Sequence, residues 1–374
     1  MRLRLAFIAV IVCIGAILLI SVRVAAQTPA RVLLVLEKNG STLDIIDPVS
    51  LKILAKAPAG PDPHEVIASA DGALAYVSNY GGPLSGLHTI SVVDLVAQKP
   101  LPAIELGVLH GAHGLDFAGG ELYFTAEVNK AIGRYDPATQ KIDWVMGTGQ
   151  DRTHMVWVSR DLNKIITSNV NSGTISIIEA TSPPRGGFGP PPTGGNAGGV
   201  SGPPPGGPQP GNGNRKSWEV TNVAVGRGSE GFDVSLDGSQ IWAANAYDAT
   251  VSIIDIASKK VIQTLPIAVM GANRLKFTLD GRFVLISGSG ASEPGGAAPT
   301  PDLLVLDAAT HAEVKQFKLG GAAGGILMDA EGSRAFVAVS GGNKVEVLDL
   351  KTLNVVGEIA PLGQPDGMAW AVRK

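Results

Sequence analysis

HEVIASADGALAYVSN (His64–Asn79), followed by TISVVD (Thr89–Asp94), holds three short runs of alternating apolar residues. The first two are joined through Asp71-Gly72, the dipeptide that closes tight hairpins, and the third ends on an acid. The same phrase returns along the chain. HMVWVSRDLNKIITSN (His154–Asn169) and EGFDVSLDGSQIWAAN (Glu230–Asn245) are close copies. Looser ones are HGLDFAGGELYFTAE (His113–Glu127), NRLKFTLDGRFVLISG (Asn273–Gly288) and GGILMDAEGSRAFVAV (Gly324–Val339). Each is followed by a third strand ending near Asp94, Asp136, Glu179, Asp255, Asp307 or Asp349, then by a more polar fourth such as KVIQTLPIA.

Four antiparallel strands recurring every ~40–50 residues predict the blades of a propeller. Six units are complete. A seventh is divided: DGMAWAV (Asp366–Val372) is a first strand without partners, while RVLLVLE, TLDIID and LKILAKAPA near the N-terminus lack a first strand. Joining them closes the ring and removes the free sheet edges. The expectation is an all-β chain, a single seven-bladed β-propeller over 27–374 with four-stranded antiparallel blades and one split blade.

Two segments fall outside this count. Ser182–Asn214 is about two-thirds Gly plus Pro and too poor in apolar residues to pack. It reads as a disordered loop inserted between the third and fourth strands of the fourth blade, leaving by the face opposite the histidines described below. Residues 1–26 carry Arg2 and Arg4, an apolar run from Leu5 to Val22, and Val24-Ala25-Ala26, the layout of a cleaved signal peptide. The rival reading is an uncleaved anchor over 5–22. Either way the bulk of the chain is expected outside the cytoplasm, periplasmic or secreted, touching a membrane only through that leader.

The chain has 374 residues, a net charge of −3 and one Cys, and Cys13 belongs to the leader. Disulfide and thiol chemistry are therefore excluded from the mature protein. Without the three leader arginines the charge falls to −6, which argues against a nucleic-acid partner. A monomer is expected, and a small molecule or protein remains open as its partner.

AYVSN (Ala75–Asn79) and TISVVD, repeated with Asp-Gly turns, resemble the YVTN repeats of YncE-like β-propellers. The resemblance spans the mature chain outside the Gly/Pro segment. It implies an exported seven-bladed propeller, in a family whose functions are diverse.

If first strands line the channel, their starting residues share one mouth: His64, His113, His154, Glu230, Asn273, Gly324 and Asp366. Second strands return there, bringing Asn79, Glu127, Asn169, Asn245, Gly288, Val339 and Glu37. Three histidines in equivalent positions of consecutive blades stand out, since YVTN repeats tend to have Pro-x-Gly where Pro63-His64 falls. His64, His113, His154 and Glu230 are the expected ligands of one divalent transition metal, because imidazole nitrogens and a carboxylate suit Zn, Cu, Ni or Fe. Asn79, Glu127, Asn169, Asn245, Asn273, Arg274 and Asp366 are the expected ligand-binding residues. Arg152 and Arg227 near the same mouth suit an anion.

The leading expectation is a binding module. The alternatives are a metal-dependent hydrolase of the lactonase or esterase type using the same residues, and a cell-surface interaction scaffold without channel chemistry. The third-strand acids are expected to cap turns, and Trp157, Trp242 and Trp370 to pack between blades.

Overall fold

The computed structural model describes residues 29–181, 217–288 and 300–374. They form seven four-stranded antiparallel sheets, the seven-bladed β-propeller expected. The divided blade is sheet one: Pro365–Val372 pairs with Arg31–Glu37, followed by Thr42–Ile46 and Ile53–Pro58. Pairing runs from Arg31↔Val372 to Glu37↔Pro365, so the two chain ends close the ring through backbone hydrogen bonds. The first strands of blades two to seven are Pro63–Ala68, Ala112–Ala118, Thr153–Val158, Ser229–Val234, Ala272–Phe277 and Ala323–Met328. Among the described residues no helix is long and apolar enough to cross a membrane. The leader, the Gly/Pro segment and residues 289–299 lie outside the described residues. The fourth blade is nonetheless complete, with Thr174–Thr181 paired to Ser217–Ala224 on either side of that segment.

Period-two alternation explains the packing. Second and third strands are buried on both faces, as in the burial of all but one residue of Lys164–Asn169, because each blade packs on a neighbour at either side. The cores therefore lie between blades: Val32, Leu34 and Ala57 of the first pack on Val66, Val77 and Val93 of the second. Fourth strands are largely exposed. Lys99–Glu105 carries Pro100 and Pro102, which lack the N–H that an added strand would need.

Turn chemistry sets the hairpins. Gly72, Gly238 and Gly281 adopt φ near +70° after Asp71, Asp237 and Asp280, whose carboxylates accept the N–H two residues on. Asp94, Asp136, Asp307 and Asp349 cap the following turns in the same way. Glu179 departs from that expectation: its carboxylate takes Lys164 at 3.2 Å and Lys259 at 2.7 Å instead.

Candidate metal centre at the channel mouth

Strand register places the first-strand column with little ambiguity. Pro63↔Asn79, Ala112↔Ala126, Thr153↔Asn169, Ser229↔Asn245, Ala272↔Gly288, Ala323↔Val339 and Pro365↔Glu37 are equivalent pairs. The next residue in each blade is His64, His113, His154, Glu230, Asn273, Gly324 or Asp366. The register slips at that residue in all seven blades, so each column residue sits on a β-bulge. A bulge re-aims a side chain out of the pleat, here toward the axis.

Neighbouring blades lock the column in place. The Thr125 hydroxyl donates to the carbonyl of His154 at 2.7 Å, Ser168 to that of Glu230 at 2.5 Å and Ser287 to that of Gly324 at 2.6 Å. Glycine follows the column residue where strands approach closest. A Cβ on Gly114 would lie 2.5 Å from the His154 carbonyl oxygen, and one on Gly367 2.3 Å from that of His64.

The histidines meet. The rings of His113 and His154 stack at 3.7 Å, and His64 lies 5.2 Å from His113. Tyr80 stands edge-on to His64 and His113 at 4.8 and 4.7 Å. Ligand atoms of His113, Glu127 and His154 lie within 4.8 Å of one another, and each residue is at most 2% exposed. Glu127 Oε1 makes a very short contact with His154 Nδ1, while its Oε2 accepts the Tyr80 hydroxyl at 2.6 Å and Arg152 Nε at 3.4 Å. Glu230 Oε1 stands 3.4 Å from His154 Nε2.

Electrostatics separate the two stacked imidazoles. Burial, with the positive neighbours His154, His64, Arg274 and Arg152, pushes His113 well below the ordinary histidine pKa. Burial also opposes the charged form of His154, but hydrogen bonds to Glu127 and Glu230 and their charges outweigh it and raise its pKa. Burial likewise works against ionised Glu230, yet His154, Arg274 and Arg152 hold its carboxyl down at about 2. His113 Nδ1 is buried without a hydrogen-bond partner among the described residues, and His154 Nε2 is nearly so, facing only Glu230 Oε1 at 3.4 Å in poor hydrogen-bond geometry. Such orphaned nitrogens are costly unless something binds them.

Other expected residues take different places. His64 lies outside the three-residue cluster: its Nε2 faces Asp62 and its Nδ1 faces Asp366, each at 3.3 Å. Asp366 also pairs with Lys38 at 2.8 Å. Arg274 crosses the channel to Glu65 at 2.5 Å, and its other donor bonds the Asn273 carbonyl. Asn79, Asn169 and Asn245 turn into their own blades. Their carboxamides donate to Thr89 and Ser91, Thr174 and Ser176, and Thr250 and Ser252, which ties third strands to second. Arg227 is exposed and held by Asp248.

The second-strand column needs one correction. Register pairs Ala126, not Glu127, with Ala112, so Glu127 is the residue after the strand and is equivalent to Tyr80 and Lys38. That position points toward the mouth, whereas the asparagine position points into the blade. Sequence reasoning passed over Tyr80, Asp62 and Lys38. One signal marks Asp62 together with Arg152. Both have left-handed backbones (φ +45° and +58°) two residues before a column histidine, a position that holds Gln364, also left-handed, in the split blade and Gly111, Gly228 and Gly271 in three others. Bearing a side chain in that conformation costs about 1 kcal/mol, and here Arg152 reaches Glu127 of the cluster while Asp62 reaches the neighbouring His64.

No protein-family model matches the chain. No curated protein matches it in sequence either. Solved structures do share its architecture. A functionally unknown protein from Desulfotomaculum acetoxidans DSM 771 is 12% identical with a TM-score of 0.67, over 92% of this chain and 99% of that one. Kuenenia stuttgartiensis hydrazine synthase is 17% identical with a TM-score of 0.59, over 80% and 86%. Dihydro-heme d1 dehydrogenase NirN, solved in complex with DHE, is 13% identical with a TM-score of 0.58, over 90% and 74%. At these identities the likeness is one of fold, and it agrees with the seven sheets in naming the chain a β-propeller.

Proposed function

We propose that the protein is an exported, YncE-like binding module whose channel mouth holds one divalent transition metal through His113, Glu127 and His154, with Glu230 beside them. The observation that carries this reading is the buried grouping of His113, Glu127 and His154, with His113 Nδ1 unpartnered and His154 Nε2 facing only Glu230 at 3.4 Å. Charge supports it. Glu127, Glu230, Asp62 and Asp366 face Arg152 and Lys38, while Glu65 and Arg274 cancel, so the mouth stays net negative even with His154 charged. Nitrogen plus carboxylate donors suit Zn, Fe, Ni or Cu over Ca or Mg. Tyr80, whose hydroxyl donates to Glu127, is the outer partner that orients such a ligand.

Elemental analysis of the purified mature protein tests this. One equivalent of metal is expected in wild type, and none in a His113→Ala/His154→Ala variant of unchanged circular dichroism. A metal-free wild type that also takes up no added Zn(II), Co(II), Ni(II) or Cu(II) would sink the proposal. The hydrolytic alternative uses the same metal and needs a base near neutral pH. Glu230, held at about 2, is a charge partner and not such a base, which favours binding over hydrolysis. Turnover of esters or lactones by the metal-loaded protein would reverse that ranking.

A further inference from the structure

The Glu65–Arg274 ion pair reaches across the ring from the second blade to the sixth, with side chains only 15% and 13% exposed. It stands one residue below the histidine column and closes the channel there. On its other side lies a second chamber of about 460 Å³, bounded by Glu65 and Arg274 at its inner end and open toward the opposite face. That volume is in the range of small-molecule sites.

The chamber wall is largely apolar, with Met155, Trp157, Phe232, Leu327 and Met368. Trp157 was expected to pack between blades. It does so, against the core between the fourth and fifth blades, while its remaining surface lines this chamber, and its indole N–H makes no hydrogen bond among the described residues. The charged groups are not equally spent. Asp116 accepts Val158 N–H at 2.7 Å and Phe117 N–H at 2.8 Å. Asp233 accepts Phe277 N–H at 3.0 Å and Lys276, and Glu65 is taken by Arg274. The acids are therefore satisfied. Lys276, whose side chain is 44% exposed, makes one contact, with Asp233 at 3.3 Å, so two of its three donors are available. A mostly apolar wall with a partly exposed indole and an ammonium that has one partner is complementary to a flat apolar body carrying one negative charge.

We infer that this far chamber is a second binding site, distinct from the histidine mouth, for a small planar molecule bearing a single carboxylate. Its ring lies against Trp157 and Met155, and its carboxylate meets Lys276. The test is isothermal titration of the mature protein with 2-naphthoate, and with 2-naphthol as the neutral probe of the same shape. Saturable binding of 2-naphthoate is expected, tighter than that of 2-naphthol. Lys276→Gln should weaken 2-naphthoate about tenfold and leave 2-naphthol unchanged, while Lys276→Arg restores binding. Trp157→Ala should weaken both probes, and thermal melts identify any variant whose fold has changed. No saturable binding up to about 1 mM, a range that weak specific sites reach, overturns the proposal. So does 2-naphthoate binding that ignores both Lys276→Gln and Trp157→Ala.

Discussion

Tyr80 and Arg152 touch the same carboxylate oxygen, Glu127 Oε2, yet their removal should move metal affinity in opposite directions. The Tyr80 hydroxyl donates at 2.6 Å, a short charge-assisted bond that fixes where the carboxylate points. Arg152 Nε is 3.4 Å away, at the edge of hydrogen bonding, so it fixes little and acts chiefly through its charge. Tyr80→Phe keeps the ring against His64 and His113 and deletes only the bond. Loss of an outer-shell bond of this kind typically weakens metal binding about 10- to 100-fold. Arg152 instead places a positive charge beside the ligands that a cation must use. At about 6 Å from the metal and an effective dielectric near 20, that repulsion is about 3 kcal/mol as an upper bound. Arg152→Gly should therefore tighten metal binding about tenfold, or about 1.4 kcal/mol, after partial screening by solvent. Glycine is the right replacement because residue 152 has φ +58°, where three other blades already use it.

The assay is competition for Zn(II) against a chromophoric chelator, repeated with Co(II), whose visible spectrum reports the ligand set. Opposite shifts for the two variants are expected. Equal affinities for wild type and both variants would remove Glu127 from the coordination set. Weaker binding by Arg152→Gly would show that the guanidinium orients the carboxylate and does not compete with the metal.

Other outcomes follow from particular contacts. Asp44 is fully buried beside Glu37, with Lys56 at 3.0 Å, and burial ahead of the Glu37 charge raises its pKa to about 7. Folded protein then holds a proton that the unfolded chain releases near pH 4, so stability should fall as pH rises from 5 to 8, by on the order of 2 kcal/mol. Asp44→Asn should flatten that slope in urea melts, and an unchanged slope would assign the pH dependence elsewhere. Gly367→Ala drives a Cβ to 2.3 Å from the His64 carbonyl oxygen, so a loss of about 1–3 kcal/mol is expected, and an unshifted midpoint would refute it.

The repeat made the ring and its first column legible because six hairpins align on their own sequence. In five of them the column residue and the end of the second strand are 15 positions apart, as His64 is from Asn79. The third blade breaks that spacing. Its hairpin turns on Gly119-Gly120 alone, both at positive φ, with Ala118 paired to Glu121, so its second strand ends two positions early at Ala126. Aligning by composition put Glu127 in the asparagine column, whereas register puts it in the column that faces the mouth. Tyr80, Asp62 and Lys38 were illegible for another reason: they lie in connections, where sequence does not report direction. The left-handed backbone of Asp62 and Arg152, shared with Gln364 of the split blade, is visible only in three dimensions.

These departures also indicate where function resides in a seven-fold scaffold. A feature shared by every blade, such as the bulge, serves the ring. Chemistry needs asymmetry, and here the asymmetries coincide. The shortened hairpin belongs to the His113 blade and delivers Glu127. Non-glycine left-handed residues before the column residue occur in the His64 and His154 blades on either side, where they deliver Asp62 and Arg152, and in the split blade at Gln364. Three consecutive blades depart from the repeat at the same mouth, each in a way that adds a polar side chain beside the stacked imidazoles. Three other blades place glycine where Asp62 and Arg152 stand and the split blade places Gln364 there, so what marks these two positions is their contacts, Asp62 with His64 and Arg152 with Glu127.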